Sequence, residues 1–221
     1  MSRSYKILVP WFILGVALLL SQGCAAPSIY QSPDFKDVSL QHKQIAILPF
    51  TVNIEAKKLP EGTTPEMLVK MEKDEGYQLQ QQIYSRFLER QAKGEYTIEF
   101  QDIEQTNATL SKEGITYDNL IQHTKDEIAK ILKADAVLSG VVHRAQPMST
   151  GAAIVTTILF GIGETNRVDI TVSIHDGSNS KLLWKYDYTA SGNIGSSAEG
   201  LAKSLMESVS KYFPYKVEKK K

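Results

Sequence analysis

Apolar and polar positions follow four rhythms along this chain. From Ile7 to Leu20 the residues run apolar without a charge. At Ile45–Phe50 and Ala136–Val142 short apolar runs cover both faces of an extended chain, the pattern of doubly buried strands. Met67, Met71, Leu79, Ile83 and Phe87 recur at steps of four or eight, widened by Tyr84 and Leu88, and Leu201, Leu205, Val209 and Phe213 step by four. Both series predict amphipathic helices. Val168, Ile170, Val172 and Ile174 alternate with polar neighbours, and so do Leu182, Trp184, Tyr186 and Tyr188, which predicts a β-hairpin turning at Asp176–Ser180.

Punctuation sets the boundaries. Thr64 caps and Pro65 opens a helix that runs from Glu66 to about Gln91, with Gly94 as its stop. Thr124 and Glu127 make a capping box for a short helix burying Ile128, Ile131 and Leu132; Ser196 and Glu199 make a second for the last helix, to Phe213. Tyr96–Phe100 reads as a short strand, Ile103–Gln122 as a broken helical segment and Thr51–Thr63 as a long polar loop. Pro49, which has no amide donor, marks a strand end. The fold class is α/β (α+β): one mixed sheet of about five strands (Gln44–Phe50, Tyr96–Phe100, Ala134–Arg144, Arg167–Asp176, Lys181–Ala190) packed by two main helices.

The opening stretch changes the picture. Arg3 and Lys6 precede the apolar run, and Ser21-Gln22-Gly23 lead into Cys24, the only cysteine in 221 residues. Positive, apolar and small-residue regions in that order describe a secretory signal peptide. A cysteine at its exit resembles the lipobox of bacterial lipoproteins, in which the thiol is diacylglycerated and becomes the mature amino terminus; Ser21 stands where the usual lipobox has Leu. Ordinary cleavage near Ala25-Ala26 is the rival reading. A membrane-spanning anchor is too short, since crossing takes roughly 20 apolar residues. The chain thus divides into residues 1–23 (signal peptide), 24–43 (lipidated amino terminus and flexible tether), 44–213 (one periplasmic α/β domain) and 214–221 (basic tail).

Lys+Arg 25 balances Asp+Glu 25, so no net field draws the domain to nucleic acid. With Cys24 lipidated, no thiol remains for a disulfide or a thiolate metal site. His42, His123, His143 and His175 lack metal-ligand spacing, and no nucleophile elbow, phosphate loop or complete dinucleotide fingerprint occurs. His175-Asp176 beside Ser173 is the nearest approach to an acid–base group, and reads as a hairpin end. We expect no enzyme, no cofactor and no metal.

Asp118–Val142, with Lys133-Ala134-Asp135-Ala136 before an apolar run and Gly140, resembles a segment of the TolB-amino-terminal-like envelope proteins. That group includes the curli-secretion lipoprotein CsgG and the penicillin-binding-protein activator LpoB. Ile45–Phe50 and Val172–Trp184 resemble its opening strand and its hairpin. Lys133 stands where glycine is usual, and Ser180 near the usual turn glycine. The resemblance implies a small α/β domain facing the periplasm, and no chemistry.

Two surfaces remain. Gly151–Gly163 is free of charge, and Ile154, Val155, Ile158, Leu159, Phe160 and Ile162 suit either the domain's own core or contact with a membrane or neighbouring copies. The polar side of the hairpin, with Arg167, Asp169, Ser173, His175, Lys185 and Asp187, is either a partner-binding face or a solvated one. The expectation is a lipid-anchored, non-catalytic accessory or docking factor for an envelope machine. Its partners are the membrane, through the acylated terminus, and an unidentified envelope protein. The outer membrane is implied, because Ala25 rather than Asp follows Cys24. The alternative is a self-assembling, secretion-type subunit that uses 151–163 in a homo-oligomer.

Overall fold

The computed structural model describes residues 27–55, 62–145, 167–191 and 197–217. In chain order the elements are β1 (Ser28–Gln31), α1 (Phe35–Ser39), β2 (Gln44–Ile47), β3 (Thr51–Glu55), α2 (Pro65–Ala92), β4 (Glu99–Phe100), α3 (Ile103–Lys112), a 3-10 turn (Leu120–Gln122), α4 (Lys125–Leu132), β5 (Ala136–Ala145), β6 (Arg167–Asp176), β7 (Leu182–Ser191) and α5 (Ala198–Tyr212). The strands form one mixed sheet in the order β1-β7-β6-β5-β2-β4, with β3 also on β5. The α/β class and the central place of the two apolar runs are as the sequence predicts: β2 lies between β4 and β5, parallel to both.

Each face of the sheet has its own core. On one side Ile45, Ile47, Leu138, Ile170, Val172, Trp184 and Tyr186 meet Leu79, Ile83 and Phe87 of α2 and Leu201, Leu205 and Val209 of α5. On the other, Ala46, Leu48 and Val137 meet Leu110 of α3 and Ile128, Ala129 and Leu132 of α4. The second core is smaller and covers only the β2 end of its face.

β2 and β3 are one path bent at Pro49. Ile47 pairs with Leu138 and Thr51 with Val141, so four steps on one strand match three on β5, a one-residue bulge. Leu48 N–H donates to Leu138 O, whereas Phe50 N–H donates to Gly76 O in α2. Phe50 is completely buried. A Cβ on Gly76 would lie 2.2 Å from Phe50 O, and one on Gly140 would lie 2.0 Å from its ring. Those two glycines let helix and strand close on Phe50, which offsets the roughly 1 kcal/mol that a mid-helix glycine costs.

The structure corrects several boundaries. Residues 27–43 are not a free tether. Ser28–Gln31 pairs antiparallel with β7, Ser32 N–H donates to Leu183 O, and α1 buries Phe35. The polar loop after Phe50 contains β3. The basic tail is folded as far as Val217: Tyr215 is buried, and Thr97 N–H and Val217 N–H bond Tyr215 O and Glu95 O. A bulge follows Ile174, where Trp184 faces Ile174 but Leu182 faces His175, so Leu183 rather than Leu182 is fully buried. The α2 stripe is buried only from Gly76 onward, and Met67 is 48% exposed. Ser197 caps α5 by accepting from Gly200 N–H; Ser196 lies outside the described residues.

Candidate functional site

The face that carries the second core is left uncovered over β1, β7, β6, and the far halves of β5 and β3. In register across it stand Ser139, Ser173, Lys185 and Tyr30; then Thr51, Val141, Thr171, Asp187 and Ser28; then Asn53, His143, Asp169 and Thr189. All are half-buried or exposed. Their period of two on antiparallel strands leaves this side wet while the same strands bury the other.

Four charged side chains on this face form two pairs, Arg167 with Asp169 and Lys185 with Asp187. The Arg167 guanidinium forks onto Asp169 at 2.9–3.2 Å, and Thr189 Oγ1 donates to the same carboxylate at 2.6 Å. Burial pushes the Asp169 carboxyl up, but the Thr189 hydrogen bond and the Arg167 charge outweigh it and hold it below its ordinary value. Lys185 Nζ lies 3.0 Å from Asp187, which accepts from Thr171 Oγ1 at 2.7 Å. Ser173 sits between Ser139 and Lys185.

His175 departs from the predicted set. It lies level with Val137, where α4 covers the sheet, rather than on the open part. Its Nδ1 is buried and has no hydrogen-bond partner among the described residues. Burial, then the charge of Lys125, push its pKa down to about 4. Cys24 and the 154–162 side chains lie outside the described residues.

Sequence reasoning missed the extension of this face onto Tyr30, Ser28, Thr51 and Asn53, which depends on strand pairing. It also took β5 as buried on both sides. Ser139 inside that run and His143 just past it, two polar residues of one parity, were the available signal.

A cleft of about 300 Å³ opens at the hairpin-turn end, between Val38 and His42 on one side and Asp135, Asp176 and Ser178 on the other. Tyr215 O–H and His42 Nδ1 are 2.6 Å apart, and His42 Nε2 faces Asp176 at 3.7 Å. Asp135 accepts from the Lys43 and Gln44 amides, and Asp176 from Ser178 N–H. Burial lowers the His42 pKa, opposed by Asp176 and Asp135, and burial raises that of Tyr215. Each group has a partner inside the cluster, so it acts as a latch joining the amino-terminal arm, the hairpin turn and the carboxy-terminal tail. Among the described residues no group of three or more His, Cys, Asp or Glu is placed to hold a metal ion, and no helix is long and apolar enough to cross a membrane.

No protein-family model and no curated protein matches the chain. Among solved structures, the PelC dodecamer of Paraburkholderia phytofirmans is similar at TM-score 0.43 and 17% identity, over 88% of this chain and 99% of that one. Lipoprotein GNA1162 of Neisseria meningitidis is similar at TM-score 0.46 and 14% identity, over 77% and 96%. The C-terminal domain of LpoB from Salmonella enterica is similar at TM-score 0.35 and 8% identity, over 72% and 93%. No functional assignment follows from likenesses of this size.

Proposed function

We propose that this chain is an outer-membrane lipoprotein held by acyl groups on Cys24, whose periplasmic domain is a non-catalytic docking factor for another envelope protein. The observation that carries the docking role is the uncovered sheet face, five strands wide, which carries Arg167, Asp169, Lys185 and Asp187. A flat, internally paired polar surface offers a partner many hydrogen bonds and offers a small substrate no enclosure. The anchor rests on the sequence: an apolar leader of signal-peptide length ending at a single cysteine.

The docking role is tested in cells with a photo-crosslinking residue at Ser173 on the face, or at Glu89, exposed on α2 behind the sheet. A discrete adduct from 173, absent from 89 and lost with Asp187→Lys, is expected. Capture alike from both positions, or from neither, would reduce the face to ordinary solvated surface. For the anchor, Cys24→Ala should abolish fatty-acid labelling and release the protein from membranes. A second reading, self-assembly or membrane contact through Ile154, Val155, Ile158, Leu159, Phe160 and Ile162, is favoured by the absence of any charge from Gly151 to Gly163. An adduct with a mass that is a multiple of the chain's own would support it.

A further inference from the structure

β1 fixes the direction in which the preceding chain leaves the domain. Gln31 pairs with Trp184 and Ser28 with Asp187, so towards the amino terminus the chain climbs along β7 in the direction of Ser191. That is away from the turn at Asp176–Ser180. Cys24 lies four residues before Ser28, a reach of at most about 14 Å. Ser191 lies four residues beyond Asp187, about 13 Å along the strand. Leu182 lies five residues the other way, about 17 Å, with the turn further still.

A cysteine fixed at a bilayer surface is therefore long enough to place one end of the sheet on that surface and too short to place the other there. The near end is the rim where β3, β5 and β7 finish and β6 begins, at Glu55, Ala145, Ser191 and Arg167. The connection from β5 to β6 leaves from this rim and returns to it. The far end carries the hairpin turn and the His42–Asp176–Tyr215 latch.

We propose, resting on the anchor reading, that the domain stands on the lipid surface on this rim, with the hairpin turn and its cleft pointing away from the membrane. The open face then runs upright from the headgroups, available to a partner that shares the same membrane.

The test uses the acylated full-length protein on phosphatidylethanolamine–phosphatidylglycerol vesicles that carry a rhodamine-headgroup acceptor lipid. In the acylated protein the Cys24 sulfur is a thioether, so an introduced cysteine is the only thiol that takes a donor maleimide. Donors at Ala145→Cys and Glu55→Cys report the rim, and one at Asn179→Cys the turn; all three positions are exposed. Ten residues of strand separate the levels by about 30 Å, so transfer to the lipid should be several-fold stronger from both rim positions. Equal transfer, or stronger transfer from 179, with the acyl groups intact by mass spectrometry, would overturn the orientation. A mass spectrum without acyl groups would overturn the anchor reading and the orientation together. Fifteen Gly/Ser residues inserted before Pro27, with a reach of roughly 20 Å, should shrink the difference. A contrast unchanged by that insertion would sink the short-tether argument.

Discussion

Lys133 and Ser180 both have positive φ, 55° and 61°, in the left-handed region that costs a side chain about 1 kcal/mol. The two have different justifications. Lys133 follows α4 as its C-cap, is exposed, and gives its N–H to Ala129 O and Lys130 O whatever its side chain. Lys133→Gly should therefore raise the Tm by about 1–3 °C. Ser180 Oγ accepts from Asp126 N–H at 2.7 Å, capping α4 from the hairpin, and donates to the Asp126 carboxylate. Ser180→Gly should gain nothing or lose up to about 1 kcal/mol, because relief of the backbone is offset by the lost cap. Equal gains from both, read by calorimetry, would defeat the capping argument. His175 supplies a pH effect. Its folded pKa is near 4, below the ordinary histidine value, so acid protonates the unfolded chain first. Stability is then present at pH 7 and lost as pH falls from about 6.5 to 4. The loss is at most about 3 kcal/mol, and nearer 1–2 once solvent screening at a half-buried site is allowed for. His42, also lowered by burial, adds in the same direction. His175→Leu should be more stable at pH 7 and show a shallower acid slope; a slope identical to the parent's would clear His175 of the effect.

At the scale of elements, β3 shows how an exposed edge is closed without another strand. Its outward amides are taken by side chains: Val52 N–H donates to Tyr117 Oη at 2.9 Å and Ile54 N–H to the Glu72 carboxylate at 2.8 Å. Tyr117→Phe or Glu72→Ala leaves an amide unpaired, at about 1–3 kcal/mol each, and reopens an edge to intermolecular pairing. A lower Tm together with concentration-dependent light scattering is expected from each; variants that stay monomeric at the parent's Tm would show that the edge needs no cover. The same element marks the limit of what periodicity makes legible. Runs apolar on both faces, the alternating hairpin, and the helices at Pro65–Ala92 and Ala198–Tyr212 are visible locally, because each buries a face of its own. β1 and β3 are not. β1 has four exposed residues and owes its form to the ladder with β7, while β3 is cut from β2 by Pro49 and the bulge it allows. The docking face divides in the same way: its β6 and β7 positions follow from alternation, whereas Tyr30 and Asn53 join it only through register. The latch was invisible for a stronger reason, since His42 and Tyr215 meet across 173 residues.

At the scale of the whole molecule, the rim at Ala145 and Arg167 brackets the charge-free run that sequence singles out, and the proposed anchor on Cys24 would hold that rim at the lipid surface. Each large apolar side chain gains roughly 1.5–3 kcal/mol on leaving water, so Ile158 and Phe160 together carry a substantial drive to be covered. A core position and a membrane or intersubunit position make opposite demands on substitution. In a core, Ile158→Ser with Phe160→Ser leaves unfilled volume and unpaired hydroxyls, at several kcal/mol. At an outward contact it leaves the isolated domain untouched and removes only the association. We therefore expect the double variant to melt within about 1–2 °C of its parent when both also carry Cys24→Ala, since a change well under 1 kcal/mol moves the Tm by no more than that. The mass by light scattering in detergent-free buffer should fall relative to the same parent. A double variant that melts far lower, with mass unchanged, would assign the run to the core. The sheet face would then be the candidate contact surface left among the described residues.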